Sequence, residues 1–179
     1  MSGFTRLKGV FTQHELRKAR SDTDIKECDT LSQQDNPRYV KLLKHPKIKD
    51  AIRNMLGADQ YHMTSLFSYR FVGKEDYRKW LPEEKTNGCH VIILLDDLAE
   101  ENGTCMYVPY THLVGLCPTV EMLTQDMFKL QDEREFPMKK KYMTGEIGDV
   151  FVYSSMLWYS FGLHTLDVPT RILLASFDC

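Results

Sequence analysis

Metal binding and proton transfer near neutral pH fall mostly to imidazole, thiolate, carboxylate and phenol groups, and this chain scatters them widely. Its six histidines are His14, His45, His62, His90, His112 and His164. Its five cysteines, Cys28, Cys89, Cys105, Cys117 and Cys179, are odd in number, far apart and without a C-x-x-C pair. Reduced thiols are therefore expected, not a zinc site or redox dithiol. His90, His112 and His164, with Cys89 or Cys105, are the donors available to a metal. Along a strand His90, Ile92 and Leu94 share one face and Cys89, Val91 and Ile93 the other, so at most one of Cys89 and His90 can point inward. An isolated histidine is ordinarily a hydrogen-bonded structural residue, and a ligand set drawn from these three would need several coincident placements. Tyr69, Trp80, Tyr107, Tyr153 and Tyr159 are the aromatic side chains that could line a cavity or fill a core.

The bulk numbers bound the setting in which these residues act. A chain of 179 residues with 42% hydrophobic content can bury a core as one domain, here read as 1–179, without disulfide or metal staples. The formal charge of -2 gives no electrostatic reason to expect nucleic acid or an anionic membrane as partner. The opening MSGFTRLKGV has no apolar stretch of signal-peptide length, and no run of about 18 apolar residues occurs to span a bilayer. A soluble, cytoplasmic protein is expected.

Positioning elements follow from periodicity and turn chemistry. An extended opening covers Gly3 to Phe11; Thr12 then caps a helix over Gln13 to Arg20, with Glu15 completing a capping box. The polar stretch from Ser21 to Arg38 reads as a loop. Leu42, Leu43, Ile48, Ala51, Ile52, Met55 and Leu56 predict one helix with an apolar face, ending at Gly57. Short β-branched and aromatic runs at Met63–Val72, His90–Leu95, Thr104–Val108, Val150–Tyr153 and Ile172–Phe177 predict an antiparallel, β-rich remainder. Pro118 to Phe136 has helical spacing, and Asn87-Gly88 and Glu101-Asn102-Gly103 are predicted turns between adjacent strands.

Three segments, in order, resemble a known family. GFTRLKGVFTQHELRKAR (3–20), VIILLDDLAEENGTCMYVPYTHLVG (91–115) and GDVFVYSSMLWYSFGLHTLDVPTRILLASF (148–177) are similar to the opening, the L-x-D-x-x-x-E-N-G to V-P-G-S-H stretch, and the closing hairpin of the phytanoyl-CoA dioxygenase family. The resemblance implies a mainly β fold with flanking helices, the double-stranded β-helix or cupin-like jelly roll. It also implies Fe(II) and 2-oxoglutarate, the iron held by two histidines and a carboxylate.

The expected ligands are missing from the sequence. No histidine is followed two residues later by Asp or Glu; spacing in the family puts that pair near Trp80-Leu81-Pro82-Glu83, and the distal histidine at Tyr159. Arg171 stands near the place of the family's 2-oxoglutarate arginine, with an ordinary ion pair as its plainer role. Tyr110 replaces the small glycine of V-P-G-S-H. The resemblance thus points to a degenerate member without metal ligands, catalytic residues or cofactor, binding a small carboxylate, an apolar ligand or an active paralogue. Arg171, Tyr159, Trp80, His90 and His164 are its candidate ligand-binding residues. The alternatives are an iron-independent isomerase or cyclase and an oxygenase with relocated ligands.

Overall fold

The computed structural model describes residues 3–25, 36–72, 80–81, 87–113, 141–162 and 164–179. In chain order its elements are β1 (Phe4–Leu7), α1 (Gln13–Ile25), α2 (Pro37–Leu43), α3 (Pro46–Leu56), β2 (His62–Phe71), β3 (Trp80–Leu81), β4 (Gly88–Leu94), β5 (Cys105–Val108), a 3-10 turn at Thr111–Leu113, β6 (Lys141–Tyr142), β7 (Val150–Ser154), β8 (Trp158–Phe161) and β9 (Thr170–Asp178).

The helices start where side chains can satisfy free backbone donors. The Thr12 amide donates to Glu15 Oε2 at 2.8 Å and the Glu15 amide to Thr12 Oγ1 at 3.3 Å, the reciprocal capping box. α1 runs past the expected end at Arg20, because Ala19 and Thr23 are buried on its inner face and the Thr23 hydroxyl bonds the Arg20 carbonyl at 2.6 Å. The stretch expected as loop also contains the start of α2, capped by Asn36, which accepts from the Arg38 amide at 3.1 Å. The single helix expected across Leu42 to Leu56 is two. Pro46 has no N–H and holds His45 at φ -58°, ψ 133°, so the helix restarts there. Its end at Gly57, φ 67°, is as expected.

Two antiparallel sheets face each other, ordered β1-β7-β4-β9-β2 and β3-β8-β5-β6. From β2 onward the chain passes between sheets at β2–β3, β3–β4, β4–β5, β6–β7, β7–β8 and β8–β9. That winding is the double-stranded β-helix, with β1 added at an edge. Glu101-Asn102-Gly103 joins β4 to β5, which lie in different sheets, so it is not the turn between adjacent strands that its sequence suggests. Asn102 accepts from the Ala99 amide and donates to the Asp97 carbonyl, each at 2.7 Å, and Gly103 adopts φ 82° against the His164 ring. Residues 82–86 before Asn87 and the Pro118–Phe136 segment lie outside the described residues.

The five-stranded sheet is buried on both faces. Cys89, Val91, Ile93, Val150, Val152, Leu173 and Ala175 pack with Leu16, Ile48 and Ile52 of the helices. Ile92, Leu94, Phe151, Tyr153, Ile172 and Leu174 turn the other way, toward Cys105, Tyr107 and Tyr159 of the second sheet. The alternation about His90 thus follows the expected period of two.

A buried carboxylate ties the opening strand to this sheet. Asp149 accepts from Arg6 Nε at 2.9 Å, the Gly9 amide at 2.7 Å and the Glu146 amide at 3.1 Å. Burial alone would raise its pKa, but the Gly9 and Glu146 amides and the Arg6 guanidinium outweigh that and hold it below the usual carboxylate value. Beside it Gly148, φ 91°, approaches so near to Phe11 that a Cβ would lie 2.0 Å from the Phe11 carbonyl oxygen.

Asp149→Ala is expected to cost about 2–3 kcal/mol of unfolding free energy at pH 7, read by urea denaturation, since two amides and a guanidinium lose their acceptor. The folded pKa is depressed, so this contribution is present above the unfolded carboxylate pKa and fades as pH falls through the folded one. The gap between variant and wild type should accordingly close in acid.

Candidate functional site

Antiparallel registry sets one row of side chains across the interior face of the five-stranded sheet. His90 on β4 lies opposite Tyr153 on β7 and Ser176 on β9, while Tyr153 lies opposite Phe4 on β1. Tyr107 on β5 and Tyr159 on β8, themselves cross-strand partners, face this row from the second sheet. Phe4 stacks on Tyr107 with ring centroids 4.5 Å apart, Tyr153 meets Tyr159 edge-on at 5.0 Å, and His90 lies 5.7 Å from Tyr159.

The polar groups of this row differ in how they are satisfied. His90 Nδ1 and Ser176 Oγ share a hydrogen bond of 2.9 Å. Enclosure by protein lowers the His90 pKa from 6.5 to about 4, keeping the imidazole neutral at physiological pH. Tyr159 is 5% exposed and Tyr153 is fully buried; burial, before any neighbour, pushes both phenols well above their ordinary pKa. The Tyr153 and Tyr159 hydroxyls are neighbours and shift each other's titration through a side-chain hydrogen bond.

The remaining candidates lie elsewhere. Trp80 and Leu81 form β3, whose backbone registers Trp80 against Ser160 and Leu81 against Tyr159. The described part of the segment expected to hold the histidine-carboxylate pair, Trp80 and Leu81, thus pairs with the strand that carries the position expected of the distal histidine. His164 is fully buried with Nε2 3.3 Å from Thr170 Oγ1. Thr170 and Ser176 are six residues apart on β9, about 20 Å at the rise of a strand, so His90 and His164 sit toward opposite ends of it. His112 packs against Gly3, where a Cβ would lie 2.3 Å from its Nδ1.

Arg171 lies on the other face of its strand from this row. On β9 Thr170, Ile172, Leu174 and Ser176 turn to the interior, with Asp178 next on that face at the strand's end, while Arg171 shares the helix-side face with Leu173 and Ala175. It donates through its amide and Nη1 to Asp96 Oδ2 at 2.9 and 2.8 Å, and Arg20 of α1 engages the other oxygen of the same carboxylate. The extra residue allowed in the preceding turn reverses its face. With Asp96 it makes the ion pair named as its plainer role.

Ser176 and Asp96 were not among the candidates, although β alternation in the closing strand would have paired Ser176 with the interior row. Among the described residues no three His, Cys, Asp or Glu side chains come together as a metal-binding group. Cys89, Cys105 and Cys179 are free thiols, the first two buried with raised pKa; Cys28 and Cys117 lie outside the described residues.

Comparison with known proteins places this geometry. The structure is similar to SnoN from nogalamycin biosynthesis, a non-heme alpha ketoglutarate dependent epimerase, with TM-score 0.76 and 16% identity, covering 99% of this chain and 78% of that one. It is similar to EctD from S. alaskensis in its apoform, with TM-score 0.78, 15% identity, and 99% and 73% coverage. HygX from Streptomyces hygroscopicus, with nickel and 2-oxoglutarate bound, gives TM-score 0.75, 14% identity, and 99% and 82% coverage. Such identities establish the jelly-roll fold. No curated protein sequence matches. The profile of the phytanoyl-CoA dioxygenase (PhyH) family matches residues 12–163, most of the chain; this protein belongs to that family.

Proposed function

We propose that this family member does not carry out iron- and 2-oxoglutarate-dependent oxidation and acts instead by binding, either a small molecule within the barrel or an active paralogue as partner. The observation that carries the reading is Tyr159, in the place that the family resemblance gives to the distal histidine. Its ring is enclosed by Tyr153 and His90, and burial keeps its hydroxyl protonated. A neutral phenol is a poor Fe(II) donor beside imidazole. With Leu81 registered opposite it, the described residues here do not fit a centre of two histidines and one carboxylate.

The alternatives have less support. Relocated ligands would have to bring His90 and His164 to one ion across about 20 Å of β9. An iron-free isomerase or cyclase needs a group that exchanges protons near neutrality, whereas His90 stays neutral down to about pH 4 among packed rings. The reading includes a cytoplasmic location, for which the buried free thiols of Cys89 and Cys105 are support. No helix among the described residues is long and apolar enough to cross a membrane.

Metal analysis of the purified protein after incubation with Fe(II), combined with a 2-oxoglutarate turnover assay, tests the proposal. Substoichiometric iron without succinate release is the expected result. Stoichiometric iron accompanied by succinate would overturn it.

The state of His90 has its own readout. Its folded pKa of about 4 lies below the ordinary 6.5, so the unfolded chain takes up the proton first. Its contribution to pH dependence is thus flat above about pH 6.5, and stability declines from there toward pH 4. His90→Leu should show a shallower decline across that window in denaturation midpoints. An unchanged slope would mean that the ring titrates normally.

A further inference from the structure

Charge is spread unevenly over this chain, and the helices hold the positive excess. From Asn36 to Leu56 six Lys and Arg residues stand against Asp50 alone, although the whole chain has a formal charge of -2. Helical spacing gathers part of that excess into one place. Glu15, Lys18 and Ala19 share a face of α1, and Arg38, Lys41 and Leu42 share a face of α2, each set at i, i+3 and i+4. The two faces, with Lys44 and His45 from the link to α3 and Phe11 from before α1, line a groove of about 660 Å³. That volume suits a small organic molecule.

The lysines of this groove are not compensated within the described residues. Arg38 Nη1 donates to both oxygens of Asp22, at 2.8 and 2.7 Å, but Lys18, Lys41 and Lys44 have no carboxylate partner among those residues. The one carboxylate in the lining, Glu15, is turned to the Thr12 amide and hydroxyl, each at 2.8 Å. His45 begins α3 without a side-chain cap, and its enclosed Nδ1 has no hydrogen-bond partner among the described residues. Three lysines around one concavity repel one another, and a bound anion relieves that repulsion. The floor is apolar: Phe11 and Ala19 are buried there and Leu42 is half-buried.

We propose that the groove between α1 and α2 binds a small organic phosphate, its dianion held by Lys18, Lys41 and Lys44 and its flat apolar body laid on Phe11, Ala19 and Leu42. The site lies among the flanking helices, outside the barrel, and does not depend on the iron reading above.

Three probes separate the terms: 1-naphthyl phosphate has both parts, inorganic phosphate only the charge and 1-naphthol only the ring. Each is titrated into the full chain and followed by NMR. The ester is expected to bind about tenfold more tightly than either part, to shift the signals of Ala19 and Leu42, and to weaken as sodium chloride is raised. Lys41→Ala and Lys44→Ala, both at exposed positions, should each weaken it about fivefold. Glu15→Gln keeps an oxygen for the Thr12 amide while removing the carboxylate from the lining, and should tighten binding, a gain that loss of folding cannot mimic. Inorganic phosphate or 1-naphthol binding as tightly as the ester, no gain in Glu15→Gln, or no saturable binding would overturn the inference. Binding seen only after Glu27, Asp29 and Asp35 are all replaced by their amides would overturn it too, assigning the groove to the chain's own acidic segment. Iron with succinate release would defeat the barrel reading and leave this site untouched.

Discussion

Strand alternation is the constraint on which the rest of this structure depends. Both faces of the five-stranded sheet are buried, one under helices and one under the second sheet, so a shift of one residue moves a side chain between two different cores. Arg171 shows the consequence. One position earlier it would enter the barrel; where it stands it fastens the end of β9 to Asp96 and, through Asp96, to Arg20 of α1. The same rule puts His90 inside and Cys89 and Val91 outside.

The motifs that carry the family resemblance are, in this chain, structural devices. Asp97 receives the Ile147 amide at 2.8 Å, Asn102 closes the turn after β4, and the Glu101 carbonyl accepts from the Thr165 amide at 2.9 Å. Asp149 gathers Arg6 and two amides at the edge where β1 joins. Every one of these polar groups is satisfied within the chain. That separates the fold from the chemistry: the barrel can persist while its interior side chains change.

The sequence disclosed these features unevenly, for physical reasons. The β-rich class, the capped start of α1, the stop at Gly57 and the face of His90 all follow from local chemistry or a period of two, and all were legible. The break at Pro46 could have been read from the missing N–H, but the continuous apolar face across Leu42 to Leu56 concealed it. The extension of α1 past Arg20 was not legible, because burial of Thr23 against the sheet offsets a polar, cap-prone composition. The face of Arg171 depended on a loop length that spacing from relatives could not fix to one residue. The Tyr153 environment needs three strands in register at once, which no local pattern encodes.

The proposed loss of iron raises the question of why a barrel of this family would tolerate rings in that place. A metal centre and a carboxylate cosubstrate need charges kept in a low-dielectric interior, each compensated by an opposite charge. Tyr159, Tyr153, Phe4 and Tyr107 meet through aromatic contact, which needs no counter-charge and contributes through area and edge-to-face geometry.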